Sequence, residues 1–195
     1  MKEKFKKYFG PTKFKRLFDI VVSFIALIVL SPLFLVICIA NLLTPNTSVF
    51  FSHERRGRKG KPFKIYKFQT MKNNTPNVAT GDLENPEQYI TTVGRKTSLD
   101  ELPQLWNILK GDMSFVGPRP LISSEMRAHR LRLEYGVYRF RPGLTGLAQI
   151  NGRDEISLMK KMKYDKIYCD NWSLKLDLII LMKSVGVALK QEGYQ

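Results

Sequence analysis

The 195-residue sequence predicts a helix-rich mixed α/β (α+β) fold: a membrane helix broken at its centre, then a small domain with a β-hairpin and surface amphipathic helices. Three observations carry this. Residues 20–40 form an uncharged run interrupted by Ser31-Pro32. FKIYKF at 63–68 alternates apolar residues with lysine, the period of a strand. Leu178, Ile179, Leu181, Met182, Val185 and Leu189 recur at helical spacing. A hydrophobic content of 44% with 11% aromatics excludes a disordered chain. Cys38 and Cys169 make neither a metal-ligand spacing nor a disulfide framework, which points to a reducing, cytoplasm-facing setting.

The formal net charge of +15 is unevenly distributed. Residues 1–72 hold 15 Lys and Arg against Glu3, Asp19 and Glu54, a net of +12, whereas residues 73–195 carry a net of +3. A basic excess serves nucleic acid, an anionic membrane surface or phosphorylated substrates, and the residues between the charges decide which.

Those residues are the uncharged run. At about 1.5 Å per residue its 21 positions match the roughly 30 Å core of a bilayer. Lys2, Lys4, Lys6, Lys7, Lys13, Lys15 and Arg16 precede it; Arg55, Arg56, Arg58, Lys59, Lys61 and Lys64 follow it. Basic residues prefer the cytoplasmic side, and both ends make that claim. A segment that enters, breaks at Ser31-Pro32 and returns satisfies both, so a re-entrant hairpin is favoured over a single span. Residues 1–16 read as a basic amphipathic helix at the headgroups, or as a solvated tail.

The remaining elements follow in order. Residues 49–51 and 63–71 read as strands joined by a turn over 56–61, a β-hairpin. Residues 73–89 read as a loop, and 98–110 as a helix closed by Gly111. Segments 113–120 and 141–153, rich in glycine and proline, read as irregular. Helices are expected over 121–138, 156–170 and 175–190, the last docked on the core or lying on the membrane. The division is 1–45 for the basic segment and hairpin and 46–195 for the cytoplasmic domain.

The densest cluster of unusual residues is RKTSLDELPQLWNILKGDMSFVGPRP, residues 95–120. Pro103 is tolerable only in a first helical turn, which places the helix start near Asp100. Asp100 then reads as an N-cap, or Ser98 and Glu101 as a capping box. The alternative is chemical: a helix N-terminus is a phosphate site, and adjacent carboxylates there can hold a divalent cation or attack phosphorus. Arg95 and Arg119 offer forks for phosphate oxygens; Arg95 reads equally as a solvated surface charge, whereas Arg119, wedged between Pro118 and Pro120, reads as a positioned side chain. His53 and His129 receive no role.

Taken together, KRLFDIVVS (15–23), Ser31-Pro32, RRGRKGKPFKIYKFQTM (55–71), TSLDELPQLWNILKGDMSFVGPRP (97–120) and RPGLTGLAQINGR (141–153) resemble the small monotopic phosphoglycosyl transferases, a bacterial sugar transferase family. The resemblance extends to Tyr164-Asp165 and Asp177. It implies transfer of a sugar-1-phosphate from a UDP-sugar to polyprenol phosphate, such as undecaprenyl phosphate, giving polyprenyl diphosphate-sugar and UMP. Asp100 would be the nucleophile that carries the phospho-sugar, Glu101 its partner, and both would be ligands of Mg²⁺. Lys67, Arg95, Arg119, Arg141, Gln149, Asn151 and Arg153 are the matched candidates for phosphate or substrate binding. Gly143, Gly146 and Gly152 are explained equally well by backbone architecture. Asp165 reads as an outer acid or, more simply, a surface salt bridge. Gln69 departs from the pattern, standing where a basic residue is expected.

The resemblance further implies membrane lipids as partners, no nucleic acid, compatibility with a homo-oligomer, and a place on the bacterial cytoplasmic membrane with the catalytic domain facing the cytoplasm. The rival reading is a non-catalytic membrane-anchored basic module for anionic lipid or nucleic acid. It calls for a recognition helix or clustered stacking aromatics, and neither is evident.

Overall fold

A computed structural model describes residues 13–75, 89, 99–152 and 155–190. The first two elements are the broken pair, α1 (Lys13–Val29) and α2 (Ser31–Leu43), bent by 60°. The bend has a local cause. Pro32 sits in the first turn of α2 and has no N–H, while Ser31 Oγ donates to Ile28 O at 2.7 Å. Among the described residues no single helix is long and apolar enough to cross a membrane; this pair together reaches that length.

The pair buries polar side chains beside apolar ones and leaves much apolar surface outward. Lys15, Asp19 and Ser23, one turn apart, form the buried stripe of α1, and Asn41 is buried on α2. Leu17, Val21, Phe24 and Ile28 on α1, with Leu35, Leu42 and Leu43 on α2, face outward. Lys15 donates to Asp177 at 2.5 Å, and Asp19 Oδ1 accepts from Ser114 Oγ and the Phe115 N–H, both at 3.1 Å. Arg16 donates to Ile108 O and Leu109 O at 2.5 and 2.7 Å. Lys15 and Arg16 were expected at the headgroups; they belong to the core, because a buried carboxylate and open helix carbonyls offer them partners there. The expected basic helix over 1–16 lies outside the described residues as far as residue 12.

The expected hairpin is present. β1 (Phe50–Arg56) and β2 (Pro62–Phe68) pair antiparallel, from Phe50 opposite Phe68 to Arg56 opposite Pro62. A 3-10 turn at Arg58–Gly60 joins them. The helix expected over 98–110 is divided: Leu99–Glu101 is a 3-10 turn, and α3 (Gln104–Lys110) starts only after Pro103. Gly111, at φ +103°, closes α3 as expected. The helix expected over 121–138 shortens to α4 (Met126–Glu134), with a 3-10 turn at Val137–Arg139 after Gly136 at φ +64°.

The two segments read as irregular contain strands β3 (Ser114–Val116) and β4 (Gly143–Thr145), which pair in parallel. Three residues are too few to show a period of two. Glycine is obligatory here because backbones touch: a Cβ on Gly143 would stand 2.1 Å from Gly117 N, and one on Gly146 2.2 Å from Gly117 O.

α5 (Leu158–Asp170) and α6 (Leu174–Lys190) complete the fold. Val116, Phe140, Tyr168 and Ile180 form one core cluster. Ile65, Leu105, Ile108 and Met113 form a second, packed against Leu27 and Leu30 of the broken pair. α6 docks on the core through Asp177 and Ile180, while Leu178, Met182 and Val185 remain exposed. Asp165 is not a surface acid. Arg132 donates to it through Nε and Nη2 at 3.0 and 2.6 Å, and both side chains are buried. Packing α4 on α5 dries the pair, which an isolated aspartate in the sequence does not reveal.

Candidate active site

Asp100 and Glu101 lie on the 3-10 turn, and Leu99 and Leu102 on either side pack against Ile37 of α2 and Phe68 of β2. This apolar footing fixes the turn. Lys67 of β2 meets both carboxylates: its Nζ is 2.8 Å from Glu101 Oε1 and 3.4 Å from Asp100 Oδ2. Asp100 is only 7% exposed.

The expected helix N-terminus at Asp100 is not there. The residue preceding α3 is Pro103, with no side-chain cap, and α3 is seven residues long. Pro103 drives this change, since its missing N–H and fixed φ divide the turn from the helix. Ser98, the other member of the expected capping box, lies outside the described residues, as do Arg95 and Arg153.

A cleft of about 480 Å³ is lined by Arg55, Arg119, Glu125, Arg132, Gln149 and Lys161 over an apolar floor that includes Leu121 and Met162. Arg119, between Pro118 and Pro120, is one of its lining residues. Arg55 had been counted among the membrane-flanking charges; it belongs to this cleft. Its Nη1 donates to Pro120 O at 3.2 Å and its Nε to His53 Nε2. Burial, then the neighbouring Arg119, pushes the Arg55 pKa down to about 10, with Glu125 and Glu101 opposing, so it stays charged at neutral pH. Burial, followed by Arg55 and Lys67, pushes the His53 pKa down to about 4. His53 is therefore a neutral acceptor for Arg55.

The other candidates have varied settings. Gln149 lines the cleft while its Nε2 donates to Leu144 O at 3.0 Å. Asn151 is exposed and donates to Leu147 O at 2.7 Å. Arg141 Nε donates to Gly111 O at 2.8 Å, joining Arg16 at the end of α3. Gln69, the departure from pattern, donates to Met71 O and Asn73 Oδ1, both at 2.7 Å. Arg55 and His53 escaped notice in the sequence although a signal existed. Phe51, His53 and Arg55 alternate along β1, and the hairpin register puts them on the face that carries Lys67.

The chemistry of the donor set fits Mg²⁺. Asp100 and Glu101 present hard oxygen donors to a shared position already faced by the Lys67 ammonium. Among the described residues no group of three or more His, Cys, Asp or Glu gathers. Mg²⁺ characteristically binds through one or two carboxylates and completes its shell with water and substrate phosphate.

The sequence profile of the bacterial sugar transferases matches residues 11–191. The chain belongs to the bacterial sugar transferase family. The exopolysaccharide production protein ExoY of Sinorhizobium fredii is 41% identical over 199 residues, covering 92% of this chain and 88% of that protein. The undecaprenyl-phosphate galactose phosphotransferase of Salmonella typhimurium is 39% identical over 197 residues, covering 92% of this chain but 41% of its own length. A UDP-glucose:undecaprenyl-phosphate glucose-1-phosphate transferase of Klebsiella pneumoniae is 42% identical over 182 residues, with 88% and 39% covered. The chain therefore spans about two-fifths of those two longer relatives. In this sugar transferase, paired carboxylates, a lysine in contact with both and an arginine-lined cleft bring together hard oxygen donors, charge neutralisation and room for a polyanion.

Proposed function

We propose that this sugar transferase moves a sugar-1-phosphate from a UDP-sugar to polyprenol phosphate, producing polyprenyl diphosphate-sugar and UMP. The observation that carries the reading is Lys67 bridging the Asp100 and Glu101 carboxylates beside the cleft of Arg55 and Arg119. The activity of the Klebsiella relative supports the same donor and acceptor classes, and that of the Salmonella relative the same acceptor class. A cleft of about 480 Å³ is within the usual range for small-molecule sites.

In the first step an Asp100 oxygen bonds to the β-phosphorus, and the bond from that phosphorus to the bridging oxygen breaks. UMP leaves with the electron pair. In the second, a phosphate oxygen of the acceptor attacks the same phosphorus and the Asp100 oxygen departs, restoring the carboxylate. Glu101 assists as the base toward the acceptor phosphate or in placing the metal. Mg²⁺ held by Asp100 and Glu101 would supply neutralisation of the diphosphate. Lys67, Arg55 and Arg119 orient the anion and offset its repulsion from the carboxylates.

Residues 1–45 provide the anchor and 46–195 the chemistry, on the cytoplasmic face of the bacterial inner membrane. The bent pair, with buried polar stripe and apolar exterior, supports a re-entrant placement. Cysteine labelling beyond both ends tests it: opposite-side access refutes re-entry. For the reaction, purified enzyme, Mg²⁺, undecaprenyl phosphate and a panel of UDP-sugars should release UMP. UMP release that survives Asp100→Asn would remove the nucleophile assignment, and none with any sugar would remove the reaction.

A further inference from the structure

The start of β1 shows an arrangement that the transfer chemistry leaves unused. Phe51 is 47% exposed and takes no part in the packed clusters of the described residues. Its neighbour Phe50 is also exposed, but it lies on the opposite face and stacks on Phe68 at 5.4 Å, in support of the core. Phe51 is instead directly across from Lys67 in the hairpin register, and Lys67 is the residue that contacts both carboxylates. The Phe51 ring lies 5.2 Å from that of His53, whose Nε2 accepts from Arg55. One face of β1 therefore grades from apolar to neutral-polar to cationic as it enters the cleft.

The apolar end of this gradient is reached from the broken pair. α2 ends in Leu42 and Leu43, 70% and 78% exposed, and the chain passes from there to Phe50 and Phe51 within eight residues. An exposed aromatic beside a charged site marks recognition of a partner with an apolar part. The uracil of a UDP-sugar can stack on an aromatic ring, but it is separated from the diphosphate by the ribose and has no apolar chain continuous with a phosphate. An isoprenoid phosphate has an apolar chain joined directly to an anionic head, the same polarity sequence as the surface.

We propose that Phe51 seats the first isoprene units of the acceptor lipid, holding its phosphate at Lys67 and Arg55. The inference rests on the reaction proposed above and assigns the acceptor side of the site. Phe51 acts there as a determinant of acceptor specificity, and it has no part in binding the nucleotide sugar.

The test uses the full chain in detergent micelles, with undecaprenyl phosphate varied at a saturating UDP-sugar. Phe51→Ser should raise KM for undecaprenyl phosphate about tenfold, the equivalent of half a phenylalanine's burial. Phe51→Leu should recover most of that. Exchange of labelled UMP into UDP-sugar without acceptor should be unchanged in both variants, as should sedimentation with phospholipid vesicles. An unmoved acceptor KM overturns the proposal. So does a rise matched by lost vesicle binding, which makes Phe51 a bilayer anchor only. A polyprenyl phosphate bearing a photoreactive group near its first isoprene should label the 50–56 peptide of the wild-type chain. This readout needs no turnover, so a chain that releases no UMP removes the reaction while the labelling still judges the seat; labelling elsewhere overturns it.

Discussion

Lys15 on the first helix and Asp177 on the last are separated by 162 positions in the chain and by 2.5 Å in the fold. Both side chains are nearly dry, and Asp177 also accepts from Tyr168 Oη at 2.7 Å and Trp172 Nε1 at 3.1 Å. Breaking a buried pair leaves its partner charged in a poor solvent. Asp177→Ala is expected to cost about 3–5 kcal/mol of stability, read by thermal denaturation in detergent. The double change Lys15→Met with Asp177→Leu should recover only part of this loss, since it removes both charges but leaves the Tyr168 and Trp172 donors without the Asp177 carboxylate.

Lys67 sits between two carboxylates that would otherwise repel each other and the substrate. Lys67→Met is expected to lower the rate of UMP release about 10²–10³-fold, the scale of losing one preorganised charge in a phosphoryl-transfer site. Lys67→Arg should restore little, because a planar fork does not replace a compact ammonium touching both oxygens. Retained thermal stability in Lys67→Met would separate this loss from unfolding.

His53 takes up its proton near pH 4 in the fold and near 6.5 in the unfolded chain. The unfolded state thus protonates first as pH falls. The contribution of His53 to stability is complete above about pH 6.5 and fades as pH drops from there toward 4. NMR titration of the His53 ring should give a midpoint near 4, and His53→Gln should flatten that part of the pH dependence of the denaturant midpoint.

Gly143→Ala places a methyl group 2.1 Å from Gly117 N, in backbone that cannot step aside. The parallel pairing of β3 and β4 should fail, with a loss of about 3 kcal/mol or more. Gly60→Ala is the useful contrast: nothing lies within 4 Å of its Cβ position, and only the φ of +70° opposes it. Comparing the two melting temperatures separates contact from conformational strain.

What could be foreseen from sequence follows from how local each signal is. The hairpin, the Ser31-Pro32 break and the Gly111 stop depend on neighbours within a few residues, and all three are in place. Asp100 and Glu101 were visible as an acidic pair, whereas their contact with Lys67 joins residues 33 and 34 positions apart. Arg55 illustrates the opposite failure. Read along the chain it is one of several basic residues after an apolar run; only the strand register separates it from Arg56 and turns it into the cleft. Lys15 and Arg16 were misplaced for the same reason, since their partners at 177, 108 and 109 are remote in sequence. The β3–β4 pair was invisible because strands of three residues leave no pattern to read.

The buried polar stripe of α1 has a consequence for how such an enzyme meets its substrates. Lys15, Arg16, Asp19 and Ser114 rivet the broken pair to the domain that carries the carboxylates, and Asn41 adds a fastening on α2 through Val49 O and Gln69 O. An anchor joined by a flexible tether lets its cargo wander above the surface. In the membrane placement proposed above, one riveted in this way would fix the altitude of Asp100 over the lipid, so that a phosphate would be screened by the depth at which it rides before any side chain touches it.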